Sequence, residues 1–137
     1  MAHFLWDNDL STGNELIDGD HRKLISMINA LFDSMAKGQA NDIISKVLHN
    51  LIIYTKEHFG REETEMQRIR YAASISHKSE HTKLLKQVTE LKASLDAGEK
   101  INALTVSRFL GDWLRDHILT VDKKLASALK NQMQTAG

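Results

Sequence analysis

Seven histidines stand in this 137-residue chain: His3, His21, His49, His58, His77, His81 and His117. Imidazole is the side chain best suited to bind a transition metal through a neutral nitrogen, or to move protons near neutral pH. Two of the seven are paired by spacing. His77 lies four residues before His81, and His58 lies four residues before Glu62. That interval puts both members of each pair on one helical face. Asp122 follows His117 by five residues, which an α-helix separates by about 140°. Either the two groups reach a wide site from both flanks, or the helix holds a π-type turn, a device common at functional sites. A solvated acid beside Lys123 and Lys124 accounts for Asp122 equally well.

The elements that would carry these residues come from the apolar periodicity. Leu24, Ile25, Ile28, Leu31, Phe32 and Met35 recur at helical spacing. They predict a first helix capped near Asp18 and stopped by Gly38. A second stripe runs Ile44, Val47, Leu48, Leu51, Ile52, Thr55, Phe59 and Met66, with Asn41 as its cap and an end near Arg70. A third starts after Ser74, carries Leu84, Leu85, Val88, Leu91 and Leu95, and stops before Gly98. A fourth starts between Asn102 and Thr105 and runs through Val106, Leu110, Leu114, Ile118, Val121, Leu125 and Leu129. Residues 1–17 read as a non-helical arm, and residues after about 131 as a frayed tail. No strand pattern, internal repeat or linker is visible. Short connections force neighbouring helices to reverse. The predicted fold is all-α, an antiparallel up-down-up-down four-helix bundle in one domain over residues 1–137.

Five of the histidines fall on these stripes. His21 precedes Leu24 and Ile25, His58 follows Thr55, His77 and His81 lead into Leu84 and Leu85, and His117 follows Trp113 and Leu114. A single histidine on an apolar face is most simply a satisfied core residue. Five imidazoles with Glu62 and Asp122 in one small core would leave many polar groups unsatisfied, and metal ions satisfy them together. A carboxylate can bridge, so the mixture suits two metals. Nitrogen and oxygen donors suit iron, and also zinc, manganese or cobalt; spacing does not choose among them. His3 and His49 fit no such position and are read as non-ligands.

Bulk composition excludes other chemistries. There is no cysteine, which removes disulfides, zinc-thiolate sites, iron–sulfur clusters and thiol catalysis. The 18 basic and 18 acidic side chains cancel, and no basic patch argues for nucleic acid. The start, MAHFLWDNDLS, lacks the basic and apolar regions of a signal peptide, and no apolar run is long enough to span a bilayer. A cytoplasmic location is the default expectation. Proline is absent, which favours uninterrupted helices.

Four fragments then carry a family resemblance from Trp6 to about Leu129. They are Ile17-Asp18-Gly19-Asp20-His21, His58-Phe59-Gly60-Arg61-Glu62-Glu63, His77-Lys78-Ser79-Glu80-His81, and Trp113 through Asp122. In this order and spacing they resemble the hemerythrin family in its single-domain bacterial form. The resemblance implies two iron ions, bridged by carboxylates and by an oxo or hydroxo group. One iron would take His77, His81 and His117, the other His21 and His58, with Glu62 and Asp122 bridging both. The second iron is then one ligand short, and oxygen would bind there.

The implied function is reversible binding of molecular oxygen for carriage, storage or delivery, without enzymatic turnover. An oxygen or redox sensor, or a di-iron enzyme acting on peroxide or nitric oxide, are the alternatives. Sensor forms are typically fused to signalling domains, for which this chain has no room. A ferritin-like oxidase needs paired Glu-x-x-His motifs, and the sequence has none. Leu24, Phe59, Trp113, Leu114 and Ile118, each a helical neighbour of a ligand, are candidates to line a dry oxygen pocket; ordinary core packing accounts for them equally. Nothing in the sequence points to a protein partner. Two positions depart from the family: Asp20 stands where glutamine is common, and Ala72 and Ala73 follow Tyr71 where proline is frequent. Neither departure is expected to touch a ligand.

Overall fold

The computed structural model describes residues 4–136, with side chains described up to residue 132. Helix α1 runs Glu15–Ala36, α2 Asn41–Arg68, α3 Ser74–Asp96 and α4 Ala103–His117. A π-helical segment, Ile118–Asp122, joins α4 directly to α5, Lys123–Ala136, so α4, the π turn and α5 make one continuous fourth rod. No strand occurs among the described residues. Helix α1 packs on α2 and α4, and α2 packs on α3. This is the four-helix bundle the stripes predict. No helix among the described residues is long and apolar enough to cross a membrane.

Helix α1 starts three residues before the expected Asp18 cap. Asn14 caps it instead, its side chain accepting from the Ile17 N–H at 3.0 Å. Asp18 is used otherwise. Its buried carboxylate accepts from the Thr12 N–H at 2.9 Å and the Thr12 hydroxyl at 2.7 Å, which reels the arm onto the bundle. Asn41 likewise is not a cap. Ala40 holds that place without a side-chain bond, and the Asn41 amide donates to the carbonyls of Leu95 and Glu99. The second helix stops at Arg68, and Arg70 takes a left-handed φ of +53° as the chain turns. Gly38 and Gly98 end α1 and α3 with φ of +67° and +86°, the conformation glycine tolerates best. Asn102 caps α4 through the Thr105 N–H.

The arm is not wholly irregular. Asn8–Leu10 form a 3₁₀ turn and Leu10 is completely buried, which contributes about 1.5–3 kcal/mol for a leucine taken from water. The backbone of Phe4 is clamped by both ends of the Asn29 amide. Its ring lies where Gly111 leaves space; a Cβ there would meet it at 3.1 Å. At the other end, the expected fraying is replaced by helical backbone through Ala136, while Gly137 and His3 lie outside the described residues. His49 is exposed, in keeping with its reading as a non-ligand.

Two apolar clusters divide the interior. The larger contains Leu24, Ile28, Leu48, Leu51, Val88 and Leu110; the smaller contains Ile17, Met66, Leu125 and Leu129. Along α1, α2 and the fourth rod, the five-histidine cluster and its carboxylates fall between the two. The polar centre is therefore enclosed by apolar packing above and below.

Candidate metal centre

Every helix contributes to one buried cluster. His21 comes from α1, His58 and Glu62 from α2, His77 and His81 from α3, His117 from the last turn of α4 and Asp122 from the π turn. All seven are 3% exposed or less. Two donor sets overlap: Glu62, His77, His81, His117 and Asp122 in one, and His21, His58, Glu62 and Asp122 in the other, with the donor atoms of each set within 4.8 Å of one another.

The π turn resolves the awkward spacing of Asp122. The Lys123 N–H reaches back five residues to the Ile118 carbonyl, and this swings Asp122 onto the face that carries His117. Its Oδ1 lies 3.0 Å from His117 Nε2. The turn thus places a carboxylate where a regular helix would not.

Each carboxylate divides its oxygens between the two sets. Oε1 of Glu62 faces His77 and His81 at 3.3 and 3.1 Å, while Oε2 faces His58 at 3.4 Å. Oδ1 of Asp122 faces His77 and His117 at 3.1 and 3.0 Å, while Oδ2 faces His21 at 2.8 Å. Ten buried nitrogen and oxygen atoms have no hydrogen-bond partner among the described residues, and all ten belong to these seven side chains. Orphaned groups in such number are costly. They include the Nε2 atoms of His58, His77, His81 and His117 and both oxygens of Glu62, which point into the space between the helices. The donor set, its split carboxylates and its unpaired atoms fit two cations held side by side.

Electrostatics agree. Burial and the neighbouring Asp122 carboxylate push Glu62 up to about 8. Burial also works against ionised Asp122, but the imidazoles of His117, His21 and His77 outweigh it and hold its carboxyl well below the usual range. Burial opposes charge on His77, yet the facing Asp122 and Glu62 lift it to about 9. His81 is driven down to about 2 by burial and by the adjacent His117 and His77. Protons here do the work of cations, and metal binding to such a set displaces them.

An outer ring of acids backs the imidazoles, and sequence reasoning missed it. Asp20 on α1 accepts from His58 Nδ1 at 2.8 Å. Glu63 on α2 pairs with His81 Nδ1 at 2.9 Å, whereas Glu80 on α3 faces His117 Nδ1 at 3.9 Å, too far for a hydrogen bond. Each acid is next in sequence to a cluster residue on its own helix and faces the imidazole of the following one. A step of one residue turns about 100° around a helix, away from the centre and toward a neighbour. The step is −1, +1, −1 along α1, α2 and α3, as alternating helix direction requires. On the fourth rod the residue after His117 is Ile118, which has no acceptor, and His21 Nδ1 is without a partner among the described residues. The expectation that Asp20 touches no ligand is therefore corrected: it does not lie behind its chain neighbour His21 but reaches across to His58. Asp20 also accepts from Tyr54 and twice from Arg61. Burial raises its pKa, but these donors prevail and hold the carboxyl well below the ordinary range.

Aromatic rings close the other side. Phe59 stacks on His81 with centroids 3.6 Å apart, and Trp113 stacks on His117 at 4.4 Å. Beside them is an apolar cavity of about 30 Å³, enough for a water-sized guest. Leu24, Phe59, Trp113 and Leu114 line it, together with Ile28, Thr55 and Leu110 among others. Ile118, also expected there, is fully buried but absent from the lining. The fourth-rod residues that line the cavity, Leu110, Trp113 and Leu114, all precede His117, whereas Ile118 follows it in the π turn.

Comparison with known proteins follows the same outline. Residues 12–129 match the family described as Hemerythrin HHE cation binding domain. A Bacteriohemerythrin of Pseudomonas paraeruginosa is 35% identical over 133 residues, covering 97% of this chain and 86% of the relative. One from Methylococcus capsulatus is 39% identical over 124 residues, covering 90% and 94%. A solved wild-type hemerythrin superposes with a TM-score of 0.87 at 38% identity, covering 93% of this chain and 98% of its own.

Proposed function

The chain belongs to the hemerythrin family, and from that premise we propose which of its residues carry the chemistry. It is an oxygen-binding protein with a non-haem di-iron centre rather than an enzyme. One iron is assigned to His77, His81 and His117, the other to His21 and His58, with Glu62 and Asp122 spanning both. Residues 1–137 act as a single domain of this kind. The observation that carries the assignment is the division of each carboxylate's two oxygens between the two histidine groups.

Bound there, two irons would supply a redox-active pair able to take up oxygen. The chain's own donors set an asymmetry. Three imidazoles and two carboxylate oxygens surround one position; two imidazoles and two carboxylate oxygens surround the other. The apolar cavity protects what binds. None of its lining residues carries a titratable group, and the one hydroxyl, on Thr55, donates to the Leu51 carbonyl at 2.7 Å. Phe59 and Trp113 cover the imidazoles of His81 and His117. A pocket without acids or bases withholds the protons that would drive bound oxygen onward, which supports reversible carriage or storage over turnover.

The test begins with iron analysis, expected to return two irons per chain. The reduced protein is then cycled between oxygen and its removal, with a visible band that grows and fades repeatedly. A chain that takes up far fewer than two irons would sink the assignment. Rapid passage to a form that no longer responds, with peroxide consumed, would favour an enzyme.

A further inference from the structure

We infer that Asp20 is a positioning residue for the two-histidine iron: by holding His58 from behind, it sets how tightly that position keeps its metal and at what potential. The inference rests on the di-iron assignment above.

The carboxylate of Asp20 receives four donors. Oδ2 accepts from His58 Nδ1 at 2.8 Å and Arg61 Nε at 3.0 Å, and Oδ1 accepts from the Tyr54 hydroxyl at 2.8 Å and Arg61 Nη2 at 2.8 Å. With both oxygens engaged on both sides, the group has little freedom to rotate. A carboxylate so placed keeps the proton on Nδ1, leaves Nε2 free for metal, and strengthens the imidazole as a donor. A stronger donor favours the more oxidised metal, so it lowers the reduction potential.

The position it serves has the least to spare. Of its two imidazoles, His58 is backed by an acid, while His21 Nδ1 has no partner among the described residues. The other position has a third imidazole, and its acids are more exposed: Glu63 is 34% and Glu80 42% exposed, against 15% for Asp20. Shielding from water makes the Asp20 contact the least screened of the three. Asn cannot replace it. All four contacts come from donors, and whichever way an amide turns, its N–H end faces an N–H of Arg61.

The experiment compares the full-length chain with Asp20→Asn and Arg61→Gln, both loaded with iron. Competitive chelation reads the affinity of each iron, redox titration reads the potential, and circular dichroism reads the fold. In Asp20→Asn one iron is expected to bind about 10–100-fold more weakly, the other to hold as before, and the potential to rise with helix content unchanged. Arg61→Gln removes the brace without touching His58, and a smaller shift of the same sign is expected. Wild-type affinity and potential in Asp20→Asn would overturn the inference, as would equal weakening of both irons. Should Asp20→Asn fail to fold, an unchanged Arg61→Gln overturns it alone. A wild-type chain that does not take two irons would instead refute the di-iron assignment.

Discussion

Replacing Glu62 with alanine is expected to empty both metal positions, taking iron from two per chain to nearly none. The reason is the division of its oxygens. Oε1 faces His77 and His81, and Oε2 faces His58. One truncation therefore withdraws a donor from each position and removes one of the two groups that tie them together. Losing an outer partner of a metal ligand typically costs about 10–100-fold in affinity; a shared direct donor should exceed that at both positions. Alanine is the best helix former, so α2 itself is not disturbed. Iron analysis after loading under anaerobic conditions checks the result. A variant that retains one iron at wild-type affinity would contradict the bridging role of Glu62.

Removing the metal is expected to cost the protein much of its thermal stability. Ten buried atoms of the cluster have no hydrogen-bond partner among the described residues, and each such atom left dry is unfavourable. A ligand present at 1,000 times its dissociation constant stabilises the folded state by about 4 kcal/mol. For a chain of this length that corresponds to a fall on the order of 15 °C when iron is stripped. The comparison is between calorimetric melting of the loaded and chelated protein, followed by re-addition of iron to restore the original midpoint. Indistinguishable melting would show that the folded chain does not depend on what fills the cluster.

Helix number and order were legible because each stripe repeats over many turns, as in the run from Leu24 to Met35. Helix starts were less so. Asp18 and Asn41 are both good caps by type, yet each is spent on a tertiary hydrogen bond, to Thr12 and to the end of α3. Local chemistry does not say which use prevails. The five imidazoles and Glu62 stood out because they share the apolar stripe of their own helix. Asp122 did not, because its place depends on a π turn that no residue type announces. The outer acids were hidden for a different reason. Asp20, Glu63 and Glu80 sit one residue off the stripe, where a solvated charge is the ordinary occupant. What they reach is decided by which helix packs alongside and in which direction, and that is a property of the whole bundle.

The distribution of the cluster over all four rods also fixes when in the life of the chain metal can matter. His21 and Asp122 are 101 residues apart. No hairpin of two adjacent helices holds either complete donor set. The three-histidine set needs α2, α3 and the fourth rod; the two-histidine set needs α1, α2 and the fourth rod. The α2–α3 hairpin brings together His58, Glu62, His77 and His81, but either donor set is completed only when the fourth rod docks. A metal that ties the fourth rod to the other three in this way is expected to slow unfolding more than it speeds folding. The last rod is therefore the one that closes both metal positions at once, through His117 and Asp122.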